Sequence, residues 1–354
     1  MAGVVYRRRA GGVTVDPVPQ VPAGYSTVRA LRRLRHITGF VSVYGEERDP
    51  RSSVFARIWH VGRTTWVARR LAERQPGVDV ERVVRLCLHH DLNRWPFAHN
   101  AEVGRFDQAG NTQVFTKSLL DARLSDEDFA DLAGVHHKRI DELSPEGRIV
   151  LGADAITGAV EDPLLLVTGL NVRPEFIPDR VSRVLGFTLR AEPWRGRTRR
   201  LAKEFHGTGV PDPLVFRAEF ARLFRDLMGR VLEREDRPER LLDIATSVKV
   251  HFIRPRVFPI NNELVCRSSW MRGEVMPRYL AHYGDLDLVL IDEDDFVRRA
   301  VRIGAAASAA DFRPRIDAVR EQERDLCFVG AKRADAAVAA GRVPRRFSLV
   351  PVTP

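Results

Sequence analysis

The chain has 354 residues, 44% of them hydrophobic, so it can bury a sizeable core and is too short for three ordinary domains. The net charge of +10 suits a polyanionic partner such as a nucleotide, but the arginines are spread out and give no support to nucleic-acid binding. No apolar run is long enough to cross a membrane, and no apolar region of a secretory signal follows the N-terminal arginines. Three widely spaced cysteines without metal-type pairing favour a reducing cytoplasm.

The N-terminal part predicts an arm followed by helices. Residues 1–24 are rich in Gly, Pro and Val without clear periodicity, which indicates an irregular arm or a strand. A helix is expected from Ser26, and a second from Val54 to about Glu73. On the second helix His60 shares a face with apolar residues and points inward. An isolated inward histidine is more often an ordinary core residue, so its role depends on what lies near it.

A helix capped by Asp79 carries the next group of polar residues. Its apolar face has near-3.6 periodicity, and His90 follows the apolar Cys87 by three positions. Burying His90 beside Asp91 is unfavourable unless something uses both side chains. A divalent metal does so, because it binds neutral imidazole and carboxylate together.

The residues after this pair offer proton transfer and phosphate binding. His99 and Glu102 are three positions apart, so they can meet on a helical turn, where Glu102 would orient the imidazole. His99 would then exchange a proton at the scissile phosphate. Arg94 cannot act as a base at neutral pH but can bind phosphate through two hydrogen bonds.

The rest of the chain is predicted to be mainly helical. Ser144-Pro145-Glu146 is typical of a helix start, and the helix continues past Asp154 to Asp162. His136-His137 is expected in a solvated turn, and the acids from Asp292 are expected to cap a helix rather than bind metal. The remaining expectations are helices at 114–121, 126–133, 212–233, 237–247 and 334–340, an ambiguous region at 248–283, a strand or short buried segment at 286–291, and a basic stretch at 194–200 that either binds phosphate or lies exposed.

The ungapped stretch His90–Glu102, HDLNRWPFAHNAE, resembles the HD segment of the dGTPase-type deoxynucleoside triphosphate triphosphohydrolases, H-D-[IL]-G-H-x-P-F-[GS]-H-x-x-[ED]. Three further stretches resemble the same family: LRRLRHITG at 31–39, ARIWHVG at 56–62 and IVLGADAITGAVED at 149–162. The resemblance covers about residues 25–162. It implies a mainly α fold: an HD-domain helical bundle with additional C-terminal helices and a small irregular or β element.

The resemblance also implies roles for single residues. The metal ligands would be His60, His90, Asp91 and Asp154. Arg57 would lie against the nucleotide, Asp162 would contact the sugar, and Gln108 stands where the family often carries a catalytic histidine. The chain departs from the family at Gly39 and Gly158, which replace a Gln that faces the sugar and a Tyr, so discrimination against ribonucleotides is expected to be weaker.

These residues lead to a functional hypothesis with alternatives. Two imidazoles and two carboxylates suit Mn²⁺, Fe²⁺ or Co²⁺ better than Mg²⁺ or structural Zn²⁺. The expected function is a metal-dependent, cytoplasmic, homo-oligomeric phosphohydrolase that converts a (deoxy)nucleoside triphosphate into nucleoside and triphosphate. The alternatives are a stepwise phosphatase acting on a nucleotide or modified nucleotide, and a nucleotide sensor without turnover. The expected domains are an arm at 1–24, an HD core with the metal site at 25–165, and a mainly helical region at 166–354 that completes the pocket and makes oligomer contacts.

Overall fold

The computed structural model of the chain describes residues 4–9, 12–17, 27–39, 55–112, 124–206, 212–315 and 319. The helices predicted at 114–121 and 334–340 lie outside these residues, as does Cys327.

The described chain is mainly α, as predicted. The α-helices up to the middle of the chain are α1 (Thr27–Arg33), α2 (Arg57–Ala72), α3 (Val80–His89), α4 (His99–Glu102), α5 (Gln108–Asn111), α6 (Asp126–His137) and α7 (Pro145–Gly169). Those that follow are α8 (Asp179–Leu185), α9 (Trp194–His206), α10 (Pro213–Arg234), α11 (Pro238–Val248), α12 (Ser268–Trp270), α13 (Met276–Tyr283), α14 (Asp285–Leu290) and α15 (Glu293–Arg302).

Two kinds of non-α helix complete the pattern. Short 3₁₀ turns occupy Leu34–His36, Ile140–Glu142, Pro174–Phe176 and Ala309–Phe312. The ambiguous region contains π-helical stretches at Lys249–Val257, Pro259–Val265 and Met271–Val275. The strand alternative for 286–291 was wrong, because that apolar run belongs to the short helix α14.

The β element is a two-stranded antiparallel hairpin. Strands β1 (Val4–Arg9) and β2 (Gly12–Pro17) pair so that Val4 lies opposite Pro17 and Arg9 opposite Gly12. The predicted small β element is therefore present within the N-terminal arm.

The chain forms two compact units, and the boundary between them falls within α7. The first unit comprises Met1–Asp154 and Cys266–Pro314, and the second comprises Ala155–Val265 and Arg315–Pro354. In the second unit α9 and α10 pack through Phe205 and Phe216, whose ring centroids are 5.4 Å apart.

The core of the first unit combines residues from both of its sequence segments. Its largest buried side chains include Leu34, Ile37, Trp95, Phe97, Tyr279, Phe296 and Phe312. The segment that follows residue 265 therefore packs around the loop that carries the predicted catalytic residues.

One half-buried arginine joins three helices of the first unit. Arg82 on α3 donates to Asp128 (2.8 Å) and Asp131 (2.8 Å) on α6, and to Glu146 (2.9 Å) on α7. Its side chain is only 12% exposed, so removing it would leave carboxylates unpaired at a loss of about 3–5 kcal/mol. This network fixes α3 and α7, the helices that carry His90 and Asp154, against each other.

Helix starts follow the predicted capping residues. Asp79 accepts from the backbone N–H groups of Glu81 and Arg82, and Ser144 accepts from that of Gly147. Asp292 caps α15 by accepting from Asp295 N–H, so the helix-start interpretation of this acidic run is confirmed. Among the described residues, no helix is both long and apolar enough to span a membrane.

Candidate active site

Helix α2 places His60 at the centre of the candidate site. His60, Val67 and Leu71 are all buried on the same helix face, as the sequence periodicity predicts. The His60 Nε2 atom lies 3.0 Å from Oδ1 of Asp154 on α7. The inward histidine is thus paired with a carboxylate from a separate helix.

The end of α3 directs the second histidine. His90 Nδ1 lies 2.6 Å from the carbonyl oxygen of Cys87. A carbonyl only accepts, so Nδ1 carries a proton, and Nε2 is the nitrogen that faces the carboxylates. Nε2 is buried, lies 3.2 Å from Asp91 and 3.5 Å from Asp154, and forms no hydrogen bond with either.

These side chains form a group that fits a divalent metal ion. Ligand atoms of His60, His90 and Asp91 all lie within 4.8 Å of one another, and all three residues are buried. Asp154 adjoins both histidines. Two imidazole nitrogens and two carboxylates are the donor set that divalent transition metals prefer.

The pKa values of His90 and Asp154 show that this pocket favours positive charge. Burial by itself lowers the pKa of His90, but the carboxylates of Asp91 and Asp154 outweigh it and raise the pKa to about 10. Burial raises the pKa of Asp154, but its contacts with the imidazoles of His60 and His90 outweigh it and hold the pKa well below 3.8. A metal cation would satisfy the same two carboxylates without the imidazole proton.

Asp91 is surrounded by donors on both oxygens. Arg57 contacts Oδ2, while Arg94 Nε donates to Oδ1 at 2.8 Å and Gln108 Nε2 at 3.2 Å. Burial raises the pKa of Asp91, but the charges of Arg57, His90 and Arg94 outweigh it and keep the carboxyl ionised. Arg57 and Gln108, both predicted to bind substrate, therefore lie directly at the metal cluster.

A cavity of about 230 Å³ lies beside this cluster. Its lining includes Arg94, His99, Glu102, Gln108, His136 and His137. The His99 side chain is 40% exposed, with Nδ1 3.7 Å from Glu102 Oε2. Glu102 instead accepts shorter hydrogen bonds from Arg94 Nη1 (2.6 Å) and from the Trp95 N–H (2.9 Å).

The prediction that His136 lies in a solvated turn was wrong. It lies in α6 rather than in a solvated turn, and its Nε2 donates to the His90 carbonyl oxygen at 2.6 Å. Burial, together with the nearby charge of Arg94, lowers its pKa to about 4, so it is neutral at physiological pH. Its spacing of four and seven residues from Leu132 and Phe129 would have predicted the buried face in part.

The HD domain family matches residues 57–159. This stretch is similar to an HD domain. It contains His60, His90, Asp91 and Asp154, and it implies a divalent metal ion held by the histidine and aspartate cluster. The match covers less than a third of the chain, and no curated protein sequence matches significantly.

Proposed function

We propose that this protein is a metal-dependent phosphohydrolase that cleaves a nucleoside triphosphate into nucleoside and inorganic triphosphate. The observation that carries the proposal is the cluster of His60, His90 and Asp91 beside a cavity lined by Arg94 and His99. HD domains are typical of metal-dependent hydrolases, which supports the reaction class. Triphosphate release is proposed from the resemblance of His90–Glu102 to the dGTPase-type segment.

The metal would be held by His60, His90, Asp91 and Asp154. When bound, a cation there supplies Lewis-acid polarisation of a phosphoryl oxygen. The orientation of His90 is suited to ligation, since Nδ1 is hydrogen-bonded to the Cys87 carbonyl oxygen and Nε2 faces Asp91 and Asp154. Mn²⁺, Fe²⁺ or Co²⁺ suits this mixture of nitrogen and oxygen better than Mg²⁺ or Zn²⁺.

His99 is proposed to transfer a proton to the leaving nucleoside oxygen. Its imidazole is partly exposed at the cavity, where a substrate can reach it. Arg94 and Glu102 flank it, and their ion pair makes the wall of the cavity rigid. Arg94 is therefore proposed to act mainly by holding Asp91 and Glu102, and only then through its positive charge toward the polyphosphate.

The remaining substrate contacts stay predictions. Arg57 is proposed to lie near the polyphosphate, because it is already at Asp91. Asp162 lies further along α7, in the second compact unit, and its contact with the sugar rests on the resemblance alone. A cytoplasmic homo-oligomer is proposed on the same basis.

A stepwise phosphatase is the second candidate function. It is favoured by the replacement of two family imidazoles by Arg94 and Gln108, both of which bind Asp91. A nucleotide sensor without turnover is less well supported, because such a protein has no need of a proton-transferring His99 next to its metal site.

Hydrolysis in ¹⁸O-labelled water separates these functions. The protein would be incubated with Mn²⁺ and a panel of ribo- and deoxyribonucleoside triphosphates, with products identified by phosphorus NMR and mass. Label in intact triphosphate from the start would support the proposal. Label first in orthophosphate would favour the stepwise phosphatase, and nucleotide binding without products would favour the sensor.

A further inference from the structure

The backbone immediately before His99 has an unusual conformation. Phe97 and Ala98 have φ values of 63° and 39°, in the region that side chains with a Cβ rarely adopt. His99 begins α4 directly after them. Where the imidazole enters the cavity therefore depends on what holds this turn in place.

A buried carboxylate from the C-terminal segment of the first unit contacts the turn. Glu293, only 3% exposed, accepts a 3.0 Å hydrogen bond from the Phe97 N–H through Oε1. The same oxygen accepts from the Thr38 N–H at 2.6 Å and from Thr38 Oγ1 at 2.7 Å. One side chain thus joins the turn to the segment preceding α2.

Aromatic packing fixes the side chain of Phe97. The Phe97 ring stacks on Phe312 at 5.7 Å and meets the edge of Phe296 at 5.9 Å. Both the amide and the ring of Phe97 are therefore held by residues beyond 290.

Arg33 holds the opposite end of the loop between Asp91 and His99. Its Nη2 donates to the carbonyl oxygens of Leu92 (2.9 Å) and Arg94 (2.7 Å). Its Nη1 donates to the carbonyl oxygen of Ile291 (2.9 Å), which lies two residues before Glu293. The segment from Leu288 to Glu293 thus supports both ends of a loop that starts at a metal-cluster residue and ends at the proposed proton donor.

From these contacts we propose that Glu293 is a positioning residue for His99, acting through the Phe97–Ala98 turn. Its role is to supply the acceptor that fixes the turn. Glu293 lies outside the stretch 57–159 that matches the HD domain, so the C-terminal segment completes a site that the HD domain begins. This inference rests on the proposed role of His99 in proton transfer.

A set of variants distinguishes the acceptor from the charge and from general stability. Glu293→Gln keeps an acceptor oxygen at the same reach, Glu293→Asp keeps the charge but shortens the reach, and Glu293→Leu removes the acceptor. Asp287→Asn is the matched control. Asp287 is a carboxylate in the same segment that binds Tyr279 and Arg299 instead of the loop.

The kinetic result expected is a change in kcat alone. Glu293→Leu and Glu293→Asp should lower kcat by about 10- to 100-fold, because displacing a reacting group by about 1 Å has effects of this size. KM and bound metal should stay within about twofold, and Glu293→Gln and Asp287→Asn should keep kcat within about threefold. Folded Leu and Asp variants with unchanged kcat would overturn the proposal, as would an equal loss in Asp287→Asn.

A spectroscopic readout separates this inference from the proposed function. The imidazole ¹³C signal of His99 and the exchange rate of the Phe97 amide are measured without any substrate. The His99 signal should move, and the Phe97 amide should exchange at least about tenfold faster, in Glu293→Asp but not in Glu293→Gln or Asp287→Asn. If the wild-type protein hydrolyses no nucleotide, the proposed function fails, but these two signals still decide the role of Glu293. Unchanged signals in Glu293→Asp would overturn the proposal that Glu293 positions His99.

Discussion

The Nη1 atom of Arg94 donates a 2.6 Å hydrogen bond to Oε2 of Glu102, and so links the residues on either side of His99. The same carboxylate oxygen is 3.7 Å from His99 Nδ1, beyond hydrogen-bonding distance. Glu102 therefore stabilises the loop more directly than it orients the imidazole, and His99 and Glu102 should respond differently to substitution.

His99→Ala is expected to lower kcat by about two to four orders of magnitude, the usual contribution of a general acid or base. Bound metal should not change, because His99 does not belong to the cluster of His60, His90 and Asp91. Steady-state kinetics and metal analysis on the same preparation test both statements. Full activity in His99→Ala would remove the residue from the mechanism.

Glu102→Gln is expected to affect stability more than catalysis. The amide oxygen can still accept from Trp95, but the charged partner of buried Arg94 is lost. The free energy of unfolding should fall by about 1–3 kcal/mol, the range for hydrogen bonds to charged groups. Chemical denaturation measures this loss of stability. The kcat of Glu102→Gln should fall by less than that of His99→Ala. A loss of kcat as large as that of His99→Ala, with unchanged stability, would assign Glu102 to the proton transfer.

Gly39→Gln is expected to strengthen discrimination between sugars. A Cβ at residue 39 would lie 3.7 Å from the Phe55 carbonyl oxygen and 4.0 Å from Arg57 Nη1, both ordinary contacts, so a side chain fits beside the site. The ratio of kcat/KM for deoxyribo- over ribonucleotides should rise by about tenfold, since polar contacts to a sugar hydroxyl discriminate well. Gly62→Gln, at an open position of α2, is the control; an equal ratio in both variants would contradict the prediction.

Glu293 is expected to make stability depend on pH. Burial raises its pKa from 4.5 to about 7. Between these values the folded protein holds a proton that the unfolded chain has lost, so stability falls as pH rises through this window and is level above it. The fall attributable to Glu293 is on the order of 3 kcal/mol. Glu293→Gln should remove it in denaturation curves at pH 5 and pH 8, and an identical slope in both proteins would contradict the assignment.

Local patterns were enough to predict much of the helical fold. Apolar periodicity and capping residues located α3 and α7, because these signals lie within a few residues of the helix they define. The apolar run at 286–291 and the region at 248–283 were ambiguous, because helix and strand share β-branched and aromatic residues in short apolar segments.

Only those residues of the site that lie within recognisable sequence motifs could be predicted. His60, His90, Asp91 and Asp154 come together as the matched segments imply, and their binding of metal stays a prediction. The contact between Glu293 and Phe97 spans 196 positions, and no local pattern records a partner at that distance. The contact between His136 and the carbonyl oxygen of His90 was missed for the same reason, since the two residues lie 46 positions apart.

Metal stoichiometry tests the central claim most directly. Purified wild-type protein, loaded with Mn²⁺ and desalted, should retain one ion per chain, whereas His90→Ala combined with Asp91→Ala should retain almost none. His89→Gln is the matched control, because His89 is adjacent in sequence but its Nδ1 donates to the Arg85 carbonyl oxygen instead of facing the cluster. Retention in the control with loss in the double variant, both folded by circular dichroism, is the predicted result. Equal metal content in wild type and the double variant would contradict the site.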